Sequence, residues 1–397
     1  MNKKIGFFVL PALAMALAFS VLESAYGQNS SATGRPANNI LRRALDIEMG
    51  RVPARVNEPR VSSGVVYTLL MSSGEIQKRV GAAAALAPNL APPAALLPNL
   101  GARTAGCTNV FTNSNGTMRN IRVNQDCSLR RQAEEVVVIN PTNPKNLIAG
   151  QNDSRIGFNK CGYDFSFNGG RTWGDQLPPF YQFLNLDGVT YDACSDPTAT
   201  FDADGNAYVG GVMFMINLAD SGVLVEKSNA PIGGAFYHSP RPGPFQLYVD
   251  NPPGVVTNDN SPNVADDKEF IVADNNPSSP HVNNVYATWT RFVITGVGVG
   301  IHSPIYFSQS TDGGATWSKG IEITGANAAI CTIGSGETNP NACDQDQGSH
   351  PIVGPDGTVY VAFGNGNTPL NGINQHLVVS CSALQHGFEL VSSGEDQ

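Results

Sequence analysis

Four stretches of the sequence carry polar residues that could perform acid–base or binding chemistry. In chain order these residues are Asp153 and Arg155, then Asp196, then Asp267, Lys268 and Glu269, then His350. Paired carboxylates can serve as general acid and base, and an oxygen-rich set can instead hold a hard cation. A purely structural interpretation is also open, because buried polar groups need hydrogen-bond partners in any fold.

These stretches belong to a pattern that repeats four times from Glu134 onward. Each copy has a polar start, an apolar strand, a turn and a second apolar strand. The copies are EEVVVINPTNPKNLIAG, DPTATFDADGNAYVGG, DKEFIVADNNPSSPHVNNVYATW and SHPIVGPDGTVYVAFG, with starts 62, 71 and 82 residues apart. The turns Asp204-Gly205-Asn206 and Asp356-Gly357-Thr358 favour hairpins. Such repeats predict an all-β propeller, incomplete with about four blades present.

The propeller would bring the polar starts together. The innermost strand opens each blade, so its first residues line one mouth of the central channel. We therefore expect the seven candidate residues, Asp153 to His350, to share one acidic rim that binds a ligand. Clustered like charges there are unfavourable without a ligand, a cation or a basic partner such as Lys268.

A second repeated motif, Ser-x-Asp-x-Gly-x-x-Trp, occurs as SFNGGRTW and STDGGATW. Its residues are Ser166, Asn168, Gly170 and Trp173 in the first copy, and Ser310, Asp312, Gly314 and Trp317 in the second. The Asp or Asn side chain is expected to bind backbone amides, the glycines to take positive φ, and the tryptophan to pack into its blade. These eight residues are predicted to be structural, with equivalent roles for the two tryptophans.

The motif and the repeat segments together resemble the sialidase superfamily of Asp-box (BNR-repeat) β-propellers, and more closely its secreted bacterial members. The resemblance covers about residues 120 to 380. It implies that the Asp-box lies on the outer hairpin between the third and fourth strands of a blade. It also implies a carboxylate-binding clamp of three arginines. The repeats hold Arg155, Arg171, Arg241 and Arg291, without the Arg-Ile-Pro motif of that family.

Three function classes follow. The first expectation is a binding protein for glycans or another surface ligand, without catalysis. The alternative is an exo-α-sialidase-like glycoside hydrolase, or another carbohydrate-active enzyme, that uses the rim carboxylates. The third is a structural module of a larger envelope protein.

The N-terminal part of the chain predicts export. Lys3 and Lys4 precede an apolar run, and Ala25 and Gly27 form a small-residue cleavage site, so residues 1–27 are expected to be a signal peptide and the protein to be secreted or periplasmic. Residues 28–106 contain the Ala/Pro-rich tract 82–98 and are predicted to be a partly disordered pro-region or linker. One short helix is expected around Leu41, Leu45 and Met49. The propeller is assigned to residues 107–397.

Charge and cysteine content limit the partners. Residues 28–133 carry 13 basic and 5 acidic side chains, whereas residues 134–397 carry 9 and 27, so the repeats lack the basic surface that nucleic acids require. No further run is apolar enough to span a membrane. In an exported chain, cysteines indicate disulfides. Plausible pairs are Cys107–Cys127, Cys331–Cys343 and Cys161–Cys194, with Cys381 as the odd cysteine. We expect no cofactor and no metal, because no cysteine or histidine has ligand spacing.

Overall fold

The computed structural model describes only part of the chain. The described residues are 37–54, 58–76, 78, 110–112, 119–125, 132–155, 159–177, 180, 183–235, 253–294, 301–324, 345–365, 375–381 and 389–390. The predicted signal peptide, the Ala/Pro tract and the cysteines of two predicted disulfides (Cys107, Cys127, Cys331 and Cys343) lie outside them.

Helix α1, Asn39–Glu48, begins at a polar cap. The side-chain oxygen of Asn38 accepts hydrogen bonds from the amides of Ile40 and Leu41 at 2.9 and 3.2 Å, which satisfies two amides that have no partner within the helix. The helix ends before Gly50, whose φ of 70° continues the chain in the left-handed region. The short helix predicted from the apolar spacing is confirmed.

Helix α2, Ser63–Ser72, was not anticipated from the sequence. Its Val-Val-Tyr stretch has the composition of a strand. Tertiary packing decides otherwise, because Val65 and Leu69, one turn apart, are only 2% and 3% exposed against the sheets. Ser62 caps the helix by accepting a hydrogen bond from the Val65 amide.

Within the described residues the strands form five antiparallel sheets. In chain order they are β1 Val110–Thr112, β2 Arg119–Ile121, β3 Gln132–Ile139, β4 Leu147–Asp153, β5 Lys160–Ser166, β6 Gly174–Gln176, β7 Ala193–Phe201, β8 Ala207–Phe214, β9 Ser221–Ser228, β10 Gly254–Asp259, β11 Val264–Ala273, β12 Val285–Ile294, β13 Ile301–His302, β14 Ile305–Ser310, β15 Ile321–Glu322, β16 Asp346–Val353, β17 Val359–Asn365, β18 Gln375–Cys381 and β19 Glu389–Leu390. Strands β1 and β2 make a separate hairpin.

The other four sheets are the blades of a β-propeller. Blade 1 is β3-β4-β5-β6, blade 2 is β7-β8-β9-β10, blade 3 is β11-β12-β14-β15 with β13 also paired to β12, and blade 4 is β16-β17-β18-β19. The first strands of the blades are neighbours: β7 contacts β3 and β11, and β11 contacts β16. The predicted all-β propeller is confirmed.

Apolar side chains fill the spaces between neighbouring blades. Alternate residues of a strand face opposite blades, so a blade with two neighbours is buried on both faces. Between blades 1 and 2 the cluster includes Ile148, Tyr163, Phe201, Val209 and Leu224. Between blades 2 and 3 it includes Tyr208, Val225, Ile271, Trp289 and Phe292. Between blades 3 and 4 it includes Tyr286, Phe307, Val361 and Phe363.

A disulfide between Cys161 and Cys194 crosses from β5 to β7 and links blades 1 and 2. Gly211 faces it closely, because a Cβ there would lie 2.5 and 2.6 Å from the two sulfur atoms. Only glycine fits this position. The predicted pairing between neighbouring repeats is confirmed.

The two Ser-x-Asn/Asp-x-Gly-x-x-Trp segments form equivalent turns between the third and fourth strands of blades 1 and 3. In the second turn, the Thr316 amide donates to Asp312 Oδ1 at 2.9 Å and Trp317 Nε1 donates to the Gly314 carbonyl at 3.1 Å. In the first turn the corresponding distances, from Thr172 to Asn168 and from Trp173 to Gly170, are 2.9 and 3.0 Å. Asn and Asp therefore fill the same role in this turn.

Replacing Asp312 by Asn is expected to change the free energy of unfolding by less than about 1 kcal/mol, because Asn168 makes the same bond in the first turn. Hydrogen bonds from Thr316 lower the pKa of Asp312 to about 2. A lowered folded pKa contributes stability that is present above pH 4 and is lost as the pH falls towards 2. The difference between variant and wild type should therefore shrink in acid, as denaturant unfolding at several pH values would measure. A larger loss in Asp312→Asn than in Asp312→Ala would contradict this role.

The helices pack into the same apolar cluster as blades 2 and 3. Ile40 and Leu41 of α1, Val61, and Val65 and Leu69 of α2 are each less than 9% exposed there. The boundary predicted from the sequence assigns residues 28–106 to a pro-region or linker and residues 107–397 to the propeller. The described residues 37–54 and 58–76 instead belong to the compact unit, because they bury apolar surface that the linker interpretation leaves in water.

Candidate functional site

Each innermost strand carries a β-bulge near its start. The pairing registers shift between Ala133 and Val136, between Ser195 and Thr198, between Asp267 and Phe270, and between Gln347 and His350. Within each bulge one residue has a left-handed backbone: Glu134 (φ 59°), Asp196 (56°), Lys268 (51°) and Gly348 (68°). Left-handed backbone is uncommon for residues other than glycine and is often found at functional positions. At three of these four equivalent positions the side chain is ionisable.

The bulges bring Glu134, Asp196 and Lys268 into one ionic cluster. The Lys268 ammonium lies 3.2 Å from Glu134 Oε1 and also forms an ion pair with Asp196. Glu134 and Lys268 are 134 residues apart in sequence. The propeller, rather than any local motif, therefore creates this arrangement.

Two further carboxylates, Asp267 and Glu269, flank Lys268 and are only 1% and 3% exposed. Asp267 Oδ2 accepts a hydrogen bond from the Ser62 amide at 2.6 Å. Within the described part of the chain, no other residue donates a hydrogen bond to either carboxylate oxygen of Glu269. We call Glu134, Asp196, Asp267, Lys268 and Glu269 the carboxylate cluster.

Burial and the neighbouring charges give the carboxyl groups of the cluster different pKa values. Burial, together with the Asp196 charge, raises the pKa of Asp267 and Glu269 well above their ordinary values. Burial also raises the pKa of Asp196 despite the Lys268 charge. Burial acts to raise the pKa of Glu134 too, but Lys268 and the hydrogen bond from Ser63 hold it below its ordinary value. The Glu134 carboxyl group is therefore ionised at neutral pH, and it lies beside Asp267 and Glu269, which hold a proton more tightly than free carboxyl groups do.

Buried amides and hydroxyls from blades 1 and 2 hold the cluster in place. Asn152 donates to Glu134 and, at 3.1 Å, to Ser195 Oγ, while its own oxygen accepts the Asp196 amide at 2.9 Å. Ser195 Oγ donates to Glu134 Oε2 at 3.3 Å. These bonds fix the orientation of Glu134 before any ligand arrives.

The start of helix α2 lies directly on the carboxylate cluster. Ser63 Oγ and the Gly64 amide donate to Glu134 Oε1 at 2.8 and 3.3 Å, and the Ser62 amide donates to Asp267. Carboxylates at a helix N-terminus are favourable, because its first amides have no partners within the helix and carry partial positive charge. In this structure the chain itself therefore supplies the donors that the cluster binds.

The remaining candidates from the sequence lie elsewhere. Arg155 is paired with Asp153 and, at 2.6 Å, with Asp175, all in blade 1. His350 is exposed and stacks on Phe270, with ring centroids 4.2 Å apart. The structure thus brings together Asp196, Asp267, Lys268 and Glu269 and leaves Asp153, Arg155 and His350 with other contacts. Ligand binding by all seven stays a prediction.

The site residues predicted from the sequence do not include Glu134, Ser62, Ser63 or Gly64. The signal for Glu134 was available, because it opens the first repeat as Asp196 opens the second. No local sequence pattern distinguishes Ser62 and Ser63 as site residues, since Ser-Ser-Gly is also a common sequence in turns.

The cluster offers acceptors for hydroxyl or amide donors and carboxyl groups of unequal acidity. Among the residues that the structure describes, His, Cys, Asp and Glu do not come together in threes with the geometry of a metal site. The positive charge among the carboxylates is the Lys268 ammonium, which pairs with Glu134 and Asp196.

No protein-family model matches this chain. No curated protein matches it. Nor does any helix in the described ranges have the length and apolar character needed to cross a membrane.

Several solved structures are similar at low identity. A thermostable family-43 glycoside hydrolase is 12% identical over 64% of this chain and 73% of that one, with a TM-score of 0.36. The endo-arabinase from Bacteroides thetaiotaomicron is 13% identical over 67% and 83%, also at 0.36. The GH93 α-L-arabinofuranosidase of Fusarium graminearum is 12% identical over 63% of this chain, at 0.34, and the chain spans 61% of that protein. These values assign no activity, and the fold assignment rests on the four blades themselves.

Proposed function

We propose that the carboxylate cluster binds carbohydrate, with neutral sugars as the ligand class. Sugar hydroxyls are donors, and carboxylates are among the strongest acceptors that a protein can offer them. The Lys268 ammonium is the one cation of the cluster and is already paired with Glu134 and Asp196, which disfavours anionic ligands. The predicted signal peptide supports an extracellular glycan.

The observation that carries this proposal is Glu269. It is 3% exposed and both its oxygens lack a donor from other described residues. A buried carboxyl group without a partner costs free energy, so folded proteins rarely keep one without a reason. A ligand that donates hydrogen bonds to the cluster supplies that reason.

The sialidase-type interpretation receives mixed support. The matching hydrogen bonds of the two turn motifs favour an Asp-box propeller. An arginine clamp for sialic acid is disfavoured, because Arg291 pairs with Asp259 and Asp266 and Arg155 is held by its own blade. Arg171 is exposed in the first turn, and Arg241 lies outside the described residues. Neutral sugars therefore fit better than sialic acid.

Glycoside hydrolysis is the second candidate function, favoured by the unequal acidity within the cluster. Hydrolysis of a glycosidic bond needs one protonated and one ionised carboxyl group. Glu269, with its raised pKa, would donate the proton, and Glu134, with its lowered pKa, would act as base or nucleophile. Turnover of a bound oligosaccharide would separate this candidate from simple binding.

Asp267→Asn and Glu269→Gln are expected to weaken carbohydrate binding about tenfold or more while leaving the fold intact. Each substitution keeps the size of the side chain but replaces one acceptor oxygen by an NH₂ group, which can only donate. Binding and turnover would be measured on a glycan array that includes arabinobiose and sialyllactose, then by calorimetry on positive probes. Asp312→Asn, on the outer turn, is the matched control and should bind as the wild type does.

Two outcomes would overturn the proposal. One is a positive probe that binds Asp267→Asn, Glu269→Gln and the wild type equally. The other is the absence of any carbohydrate signal from both the wild type and the Gly64→Ala variant described below, in which the approach to the cluster is opened.

A further inference from the structure

We infer that residues 58–76 form a displaceable plug over the carboxylate cluster, with Ser62, Ser63 and Gly64 occupying the place that ligand hydroxyls take on binding. The inference rests on the proposed function and adds its regulation: the plug must move before a ligand reaches the site. We call residues 58–76 the plug.

The polar contacts of the plug are those expected of a ligand. One hydroxyl, on Ser63, and two amides, on Ser62 and Gly64, donate to Glu134 and Asp267. In return, Asn159 donates to the Gly64 carbonyl at 3.0 Å. A sugar that presents several hydroxyls could replace these donors one for one.

The fit at Gly64 is close. A Cβ there would lie 2.2 Å from Ser195 Oγ, 2.3 Å from Asn152 Nδ2 and 2.7 Å from Glu134 Oε2. Gly64 is not in the left-handed region, and alanine is a better helix former than glycine. Glycine is therefore needed for the close approach to the cluster and not for the backbone conformation.

The plug is anchored in a way that permits local opening. Its buried apolar side chains are Val61, Val65, Leu69 and Leu70, and its residues Glu58 and Arg60 form ion pairs with Arg43 and Glu48 of α1. Helix α1 has its own anchors, Ile40 and Leu41, and its own polar ties to blades 2 and 3, so opening of the plug breaks these two ion pairs and leaves α1 in place. A helix of ten residues can detach while the strands of the sheets stay hydrogen-bonded to one another. Such local unfolding of part of a structure is common in proteins.

The test uses Gly64→Ala in the full chain, with Ser72→Ala as matched control. Ser72 is on the same helix, and among the residues that the structure describes its hydroxyl bonds only to the Leu69 carbonyl, at 2.8 Å. Hydrogen exchange over residues 58–76 and carbodiimide labelling of carboxyl groups would be measured, together with arabinobiose binding. Gly64→Ala should raise exchange at residues 62–66 and labelling of Asp267 about tenfold, and tighten sugar binding by a similar factor.

The outcomes separate the plug from the carbohydrate function. Faster exchange and labelling without sugar binding to any variant support the plug and overturn the carbohydrate proposal. Exchange and labelling that stay at wild-type levels in Gly64→Ala overturn the plug, whatever the sugar data show.

A milder variant covers the case in which Gly64→Ala unfolds the protein. Ser63→Ala removes only the hydroxyl that bonds to Glu134 and introduces no clash. Faster exchange confined to residues 62–66 supports the plug. Faster exchange that extends equally through β7 and β11 shows that the segment is an inseparable part of the core, and overturns it.

Discussion

Replacing Lys268 by methionine is expected to lower the free energy of unfolding at pH 7 by about 3–5 kcal/mol, because it leaves buried carboxylates without their cation. Methionine keeps the length and apolar stem of the side chain, and any residue other than glycine shares the cost of the left-handed backbone. The loss therefore reports the charge. Denaturant unfolding followed by tryptophan fluorescence would measure it.

The loss should depend on pH with a defined sign. The pKa values of Asp196, Asp267 and Glu269 are raised in the folded protein, so their contribution to stability is present at low pH and is lost as the pH rises through those values. Without Lys268 these three pKa values are expected to rise further, and the ionised form of Glu134 is no longer stabilised by a neighbouring positive charge. The difference between Lys268→Met and wild type should be small near pH 4 and grow towards pH 7.

Two controls keep this prediction specific. Lys319 is exposed, and Lys319→Met should change stability by less than about 0.5 kcal/mol. Adding Asp196→Asn to Lys268→Met should recover part of the loss, since the two residues form one ion pair. A loss in Lys268→Met that is constant from pH 4 to pH 7 would mean that the lysine acts through packing rather than charge.

Trp289→Ala is expected to lower the free energy of unfolding by about 3–5 kcal/mol or more. Trp289 is 1% exposed between blades 2 and 3 and packs against Tyr306. Its Nε1 donates to the buried Asp266 at 2.9 Å, so the alanine variant combines a cavity with a lost hydrogen bond to a carboxylate. Thermal and denaturant unfolding would measure the loss.

Replacing the tryptophan of either turn motif by alanine should lower the free energy of unfolding by less, roughly 1–2 kcal/mol each. Both side chains are only partly buried, and each substitution removes a single hydrogen bond to a glycine carbonyl. The loss of stability should be larger in Trp317→Ala than in Trp173→Ala, since Trp317 also packs against the apolar cluster between blades 2 and 3. The motif alone suggested equal roles. If Trp173→Ala proved as costly as Trp289→Ala, burial would not be what sets these values.

Much of the fold was predictable because its signals are local. Hairpin turns show in Asp-Gly pairs, and both turn motifs bond within eight residues, so no distant contact is needed to form them. The link between Cys161 and Cys194 also followed from the repeats, since each cysteine belongs to a different blade. The candidate residues Asp196, Asp267, Lys268 and Glu269 were found because they sit beside the repeat starts.

The composition of the site was less predictable, because a bulge changes which side chains face the centre. A regular strand alternates its faces with a period of two, so the two unpaired positions of a bulge break the pattern used to assign inward residues. Glu134 and Lys268 share a left-handed position that no propensity indicates. Asp153 and Arg155, close in sequence, instead pair with each other within blade 1.

The sequence by itself determined the repeat, the turns, the link between blades 1 and 2 and the acidic character of the site, because these depend on residue types and short spacings. The tertiary structure alone decided that Glu134 and Lys268, 134 residues apart, meet in one ion pair and that a Ser-Ser-Gly helix start covers them. The reason is physical: only packing the blades around a common centre brings equivalent bulges together. Only there do a helix N-terminus and buried carboxylates satisfy each other.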